Sequence, residues 1–311
     1  MSILEKLQPY TVAQPQPLIG AETIQIILMR EILDYTVLRT EETRELNTVT
    51  TPRSISQTSD ELRVAFLASK QKAAESRMME QMLRTATRAA GMTEPDCYLK
   101  DYLCLQCPRC ALFGATNTRS ASEKTGNIKH RIEYGTAFSL MPMRDIGDTL
   151  TFNAIDEMTQ TTGQALGTRY VVKPASVFPS VVTLRSVTAR ELILTLKTLL
   201  SCKSYGAEAR TSGDARNTIY GIVCGWEEII TPLELTLELY DCREHIDGAS
   251  VCNILQSYTP LAGNKDQVTV LEPDDVDMLM REVSDASLDA PFLKSAYEDV
   301  RQFRSTQTAK R

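Results

Sequence analysis

The apolar positions of this chain fall into short β-branched runs separated by polar loops, with a few longer stretches of helical character. Residues Thr23 to Thr40 crowd Ile, Val, Leu, Tyr and Thr together, which predicts one long strand or a bent pair. The Thr58-Ser-Asp-Glu61 run has the spacing of a capping box, in which each side chain satisfies the other's free backbone donor. From Glu61 to Ala90 there is neither Gly nor Pro, and Gly91 offers a left-handed stop, so a long helix is predicted over that span. Arg63, Lys70, Arg77 and Arg84 recur every seven residues and would share nearly one face of it. Such a stripe suits a plain solvated face as well as a nucleic-acid or subunit contact.

Further along, Glu133–Met143 and Thr149–Glu157 read as strands joined through Arg144–Asp148, with Gly147 supplying a hairpin turn. A second hairpin-like pair is expected across Thr159–Thr168, leading into Arg169–Lys173. Pro174 and Pro179 bracket an expected edge segment before a strand at Val181–Val187. Thr188-Ala-Arg-Glu191 opens a short helix, and Thr231-Pro-Leu-Glu234 opens another with Pro at its first position. Between them a Gly- and Arg-containing loop precedes a strand at Asn217–Trp226. Strand, helix, strands, helix, strand is the order of an α+β sandwich of the RNA-recognition-motif or ferredoxin-like type, here with large insertions.

Composition narrows the class. The chain has 311 residues, 42% hydrophobic and 24% charged, ample for a real core. No apolar stretch approaches the roughly 20 residues of a membrane span, and the start lacks a secretory pattern, so a cytoplasmic protein with no membrane partner is expected. The net charge of −6 argues at first against a polyanionic partner. However, Asp266–Asp299 holds ten acidic and two basic residues, a local charge of −8, which leaves +2 on the remainder. A basic groove is compatible with that distribution. The acidic segment, 266–311, reads either as a packed helix or as a tail.

Two clusters could carry chemistry. Cys97, Cys104, Cys107 and Cys110 stand within one short segment, spaced as x6, x2 and x2. Zinc takes four such ligands tetrahedrally, and Cys-x2-Cys lets one tight knuckle present two of them, so a closed structural zinc site is expected across 92–130. His130 could replace one cysteine, and unliganded packed thiols remain the alternative. The other four cysteines, Cys202, Cys224, Cys242 and Cys252, are scattered and read as reduced core thiols. In the loop 206–217, Gly206 and Gly213 permit close backbone approach, Arg210 and Arg216 offer guanidinium groups, and Thr211, Ser212 and Asn217 add neutral donors. That mixture suits a sugar–phosphate chain held without base reading, although a plain surface turn has the same composition. No nucleophile, zinc-protease, P-loop or dinucleotide signature is found, and the two histidines, His130 and His245, sit in none.

The segment Cys107-Pro-Arg-Cys-Ala-Leu-Phe-Gly114 resembles the Cys-x-x-Cys-x-Leu-Phe-Gly element of CRISPR (Cascade) backbone subunits in the RAMP superfamily. Residues 132–139 (IEYGTAFS), 152–160 (FNAIDEMTQ) and 177–185 (VFPSVVTLR) are similar to the type I-D member of its Cas-seven group. The resemblance spans about 20–240. It implies one RNA-recognition-motif-like palm over 1–311, with a zinc-bearing insertion and a hairpin thumb within 133–175. It further implies a subunit that oligomerises along guide RNA (crRNA) beside other effector subunits and presents it to target DNA or RNA. In that setting the 206–217 loop would hold guide backbone, and Arg30, Arg39, Lys129 and Arg131 become further RNA-binding candidates. No paired aromatic boxes are visible, so backbone and shape recognition fits better than base stacking on the sheet. The alternative on this scaffold is a metal-dependent endoribonuclease cleaving target RNA through a loop aspartate, Asp145 or Asp148; a protein-only assembly role is a third.

Overall fold

The structure is a computed structural model that describes residues 2–40, 44–99, 102–117, 126–155, 157–209 and 211–309. A short helix α1 (Ile3–Lys6) precedes strand β1 (Thr23–Ile32), whose burial along almost its whole length marks it as a central strand. Strands β2 (Thr48–Pro52) and β3 (Asp60–Phe66) then form an antiparallel arm, and helix α2 (Ala68–Ala89) follows. The helix expected from Glu61 therefore begins seven residues later, and the Thr58–Glu61 capping box is not formed. Pairing of β3 with β2 overrides the local helical preference, and with no Gly or Pro nearby nothing in the sequence marks the boundary. Arg63 consequently leaves the expected helical stripe. It lies buried in β3, donates to Thr51 Oγ1 at 3.0 Å and to the Ser139 carbonyl at 2.7 Å, and stacks over Tyr240.

The chain continues through α3 (Pro108–Phe113), the ribbon β4 (Ala115–Asn117) and β5 (Gly126–Ile128), then β6 (Ile132–Tyr134) and β7 (Ala137–Phe138), which joins the β2–β3 arm. One helical turn, α4 (Met143–Ile146), occupies the place of the expected turn at 144–148. Gly147 there is extended rather than left-handed and begins a strand. The long hairpin is instead β8 (Gly147–Ile155) paired with β9 (Thr162–Val172), so the two expected pairs are one. Next come β10 (Val177–Arg185), α5 (Ala189–Ser201), β11 (Ala215–Gly225), α6 (Pro232–Asp241), α7 (Gly248–Tyr258), β12 (Thr269–Val270), α8 (Pro273–Asp285) and α9 (Ala290–Ala309). The capping boxes at Thr188 and Thr231 both form. Pro179 lies inside β10 rather than on an edge segment. It is tolerated because β6 covers β10 only at Val182–Leu184, leaving no strand to need the missing donor.

The main sheet has the order β12-β11-β1-β10-β6, antiparallel throughout, in a mixed α/β fold. One face buries Ile24, Ile26 and Leu28 against Met79 and Leu83 of α2 and Leu192 and Leu196 of α5. The other buries Ile27, Met29 and Val223 against Leu235 and Leu239 of α6 and Val251 and Leu255 of α7. Both faces are thus covered, and no open sheet surface is left for stacked bases. The acidic C-terminal segment is packed: Leu279, Val283, Leu293 and Phe303 enter the first core. Glu282 binds the other end of the chain, accepting from the Ile3 and Leu4 amides at 2.8 and 3.2 Å. Among the described residues no helix is long and apolar enough to cross a membrane.

Candidate nucleic-acid interface

Three parts of the chain converge at the foot of the β8–β9 hairpin. The stretch after β1 bridges the end of β9 through Thr36–Val172 and the glycine loop through Val37–Ala207. Ser204 and Asp214 close the loop upon itself. Glu208 at its tip takes Arg169 from β9 and stands 3.7 Å from Arg39, so one carboxylate gathers two partly exposed guanidinium groups. The pair keeps donors free for a further anion, since each guanidinium presents five N–H groups and one carboxylate cannot use them all.

The two loop glycines are needed by the fold rather than by a ligand. A Cβ on Gly206 would lie 2.7 Å from the Val37 carbonyl oxygen, and one on Gly213 2.2 Å from that of Tyr205, both at positive φ. Thr211 is exposed, and the Thr211 and Ser212 hydroxyls both turn inward to the Glu208 carbonyl. Arg216 is exposed, held to Glu31 through Nε at 3.1 Å. Arg210 lies outside the described residues.

Three expected contacts fail because the side chains are inside the protein. Arg30 is fully buried, bonded to Glu75 of α2 at 2.5 Å and to Tyr205 at 3.0 Å. Burial works against its charge, but the neighbouring Glu75 carboxylate more than offsets that, so the guanidinium is held cationic. Arg131 is likewise buried, forked onto Glu191 in the capping box of α5, and it donates to the Ser186 carbonyl at 2.9 Å. Asn217 is buried and donates to the Leu199 carbonyl at 2.7 Å, tying β11 to the end of α5. Of the remaining candidates, Arg39 joins the hairpin foot. Lys129 is exposed, grouped with Lys72 around His130; burial first, then Lys72, pushes that imidazole below the ordinary histidine value.

The hairpin carries what the sequence reading missed. Phe152, Ile155, Met158 and Tyr170 are 40%, 68%, 95% and 40% exposed, and the register puts Phe152 beside Arg169 on one face and Tyr170 opposite Thr149 on the other, so apolar groups are exposed on both faces of the ribbon. Arg169 stacks on the Phe152 ring at 4.7 Å, so the cation at the foot is also held by an aromatic face. Alternation along the two strands is a strand signal, but only the hairpin register shows that Phe152 and Tyr170 lie on opposite faces.

The four expected cysteines come together. Their sulfurs lie within 4.8 Å of one another, with Cys97 and Cys110 at 3.5 Å. Zn–S bonds of about 2.3 Å in a tetrahedron set sulfurs about 3.8 Å apart, which this quartet can meet. The Gln106 and Cys110 amides point at the sulfurs of Cys104 and Cys107, each at 3.4 Å, as in a knuckle that presents thiolates. Hydrogen bonds from Cys104, Cys107 and Cys97 pull Cys110 strongly toward the thiolate, and those with Cys104, Cys110 and Cys97 push Cys107 up. His130 is not in the group. Among the described residues the quartet is the one group of three or more Cys, His, Asp or Glu placed to hold a metal ion. Its clamps are α2, where Arg84 donates to the Cys97 carbonyl at 2.9 Å, and α9, whose Tyr297 and Phe303 share its core.

Comparison with known proteins agrees with this architecture. The model of the Csc2 CRISPR family matches residues 10–297. The crystal structure of Thermofilum pendens Csc2 superposes with a TM-score of 0.67 at 20% identity, covering 98% of this chain and 96% of that one. A chain of a CRISPR RNA-guided surveillance complex gives 0.45 at 14% identity over 76% and 83%, and one of a pre-nicking complex 0.48 at 12% over 77% and 86%. No curated protein matches the sequence.

Proposed function

Because the chain belongs to the Csc2 CRISPR family, we propose that it is a guide-RNA-binding backbone subunit of a type I-D interference complex in the cytoplasm. Copies of it would line up along crRNA beside other effector subunits and present the guide to target nucleic acid. The observation that carries this reading is the family match over residues 10–297, nearly the whole chain. The surface that would serve it is formed by Arg39 and Arg169 on Glu208, beside a hairpin with exposed apolar side chains. Cations that position a backbone without reading bases suit a guide, whose edges must stay free to pair. The exposed Phe152, Ile155 and Met158 give the hairpin the character of a thumb that wedges against a base or a neighbouring copy.

The strand order supports reading the core as RNA-recognition-motif or ferredoxin-like. With β1, β6, β10 and β11 as its four strands and α2 and α5 as its helices, the order is fourth, first, third, second, all antiparallel. Helices α6 and α7 cover the face such motifs usually leave open, which favours the hairpin foot over the sheet as the binding surface.

The cysteine quartet fits structural zinc, with Cys97, Cys104, Cys107 and Cys110 as ligands and no open position for catalysis. Bound there, zinc would tie Cys97 and Cys104 to the N-terminal turn of α3, the element against which α2 and α9 pack. Metal analysis is expected to find one zinc per chain, and its chelation to lower the melting temperature while loosening α9 in hydrogen exchange. A zinc-free protein of unchanged stability would refute that assignment. Target cleavage by Asp145 or Asp148 gains no support from geometry, since among the described residues neither carboxylate joins a further ligand group.

Fluorescence anisotropy with single-stranded RNA across a salt series tests the function. Affinity should fall steeply with salt, and Arg39→Gln/Arg169→Gln should weaken it about tenfold at low salt. Wild-type protein that fails to bind at low salt would defeat the reading for the isolated subunit.

A further inference from the structure

The arginine stripe of α2 survives the correction to its start, and the function above does not use it. Arg77, Gln81, Arg84 and Arg88 follow one another at helical spacing on the exposed side of α2. Two clefts share the ridge made by Arg77 and Gln81. One, of about 790 Å³, lies between α2 and the 203–211 loop, with Lys203, Ser204 and Thr211 on its far wall. The other, of about 190 Å³, lies between α2 and the cysteine segment, with Arg84, Tyr98 and Leu99 on its wall. Joined across the ridge they make a trough from the glycine loop to the cysteine knuckle.

Its charge is not balanced. The two carboxylates in it are already taken, Glu80 by Arg84 at 3.6 Å and Glu208 by Arg39 and Arg169. Among the described residues Arg77 and Lys203 are exposed and have no acidic partner, so the trough is positive in a protein of net charge −6. At its knuckle end Tyr98 and Tyr102 are 48% and 44% exposed and stack on each other at 5.9 Å, with 28° between the rings. Each tyrosine packs on the other and still leaves nearly half of its surface in water. Uncompensated cations beside an exposed aromatic face match one kind of ligand chemistry, an unpaired nucleic-acid strand, whose phosphates seek the cations and whose bases stack.

We propose that this trough over α2 is a second single-strand track, separate from the hairpin foot, in which Arg77 and Lys203 hold phosphates and Tyr98 stacks a base. It stands on its own charge and aromatic surface and does not require the guide to lie at the hairpin. The strand could be RNA or DNA, since both share that chemistry and the 2′-hydroxyl alone separates them.

The test measures anisotropy of the full-length protein with a fluorescent single-stranded RNA and the same sequence as DNA, over a salt series, for wild type, three variants of the trough and Arg39→Gln/Arg169→Gln as the hairpin comparison. Arg77→Gln/Lys203→Gln is expected to weaken binding about tenfold at low salt and to flatten the log–log salt slope by about 1.4, at about 0.7 per lost phosphate contact. Tyr98→Leu is expected to cost at least about fivefold with the slope unchanged, and Tyr98→Phe to restore wild-type affinity. All of these side chains are exposed, and a melting curve for each variant verifies the fold. Greater loss with RNA identifies an RNA strand, and greater loss with DNA a DNA strand; either supports the track. Loss in Arg39→Gln/Arg169→Gln with none in Arg77→Gln/Lys203→Gln overturns the track and leaves the hairpin reading intact. The reverse pattern upholds the track and moves the guide off the hairpin foot. Wild type that binds neither strand at low salt also overturns it.

Discussion

The interior under β1 and the foot of the hairpin use the same residue, arginine, in opposite ways. Arg30 and Arg131 are buried and each is held by one buried carboxylate, Glu75 and Glu191. Arg39 and Arg169 share Glu208 at the surface with about a quarter of each side chain exposed. In the interior a guanidinium is tied to several protein groups at once: Arg30 reaches Ser180, Glu75, Tyr205 and Asn217 through Nε and one terminal nitrogen, fixing α2 and the glycine loop onto the sheet, while its other terminal nitrogen is buried out of reach of any outside anion. At the foot two guanidinium groups compete for one carboxylate, so donors remain for an outside anion. Charge that builds the fold and charge left available at the surface differ by burial and by the count of partners, not by residue type.

The sharpest way to break this contrast is to remove one partner on each side. Glu75→Gln would leave Arg30 as an uncompensated buried charge and is expected to cost about 3–5 kcal/mol in chemical denaturation. RNA affinity of the folded fraction should hardly change. A loss below about 1 kcal/mol would show that the pair is not a structural anchor.

A smaller stability effect is expected where the charges face water. Arg39→Gln/Arg169→Gln should cost about 1 kcal/mol or less while lowering RNA affinity, because partly exposed ion pairs contribute little to folding. A large stability loss in that variant would turn the foot into a second buried-type anchor and erase the distinction.

The smallest effect concerns the contact between the chain ends. Burial pushes the Glu282 carboxyl up, but the Ile3 amide, the Ser2 hydroxyl and the Leu4 amide bring it below the ordinary glutamate value. A carboxyl with a depressed folded pKa adds stability that is full above the unfolded value, near 4.3, and is lost as pH falls through the folded one. Glu282→Gln should therefore melt slightly below wild type at pH 7, by about 1 kcal/mol at most, with the gap closing in acid. A gap that stays constant from pH 6 to pH 3 would contradict the linkage.

How much of this was readable beforehand follows from which forces act locally. Thr188 and Thr231 could be read because a capping box is satisfied within four residues. The cysteine quartet was readable because metal spacing is short in sequence and its chemistry tolerates few alternatives. The start of α2 was not, because β3 becomes a strand only by pairing with residues from β2 and β7. The hairpin turn was misplaced for a related reason: Gly147 looks like a turn residue, yet β8 and β9 pair from Gly147–Val172 outward. Arg30, Arg131 and Asn217 were misassigned as surface contacts because their partners Glu75, Glu191 and the Leu199 carbonyl are 45, 60 and 18 positions away. Nothing local distinguishes an arginine that will be buried on such a partner from Arg169, which no motif singled out and which the fold places at the foot.

The most direct test of the central claim, that copies of this chain line a guide strand, is stoichiometry against RNA length. Mass photometry of the protein with single-stranded RNAs of increasing length should show bound copies rising in steps, with near-constant nucleotides per added copy. One copy on every RNA, whatever its length, would contradict a backbone subunit and leave an isolated RNA-binding protein.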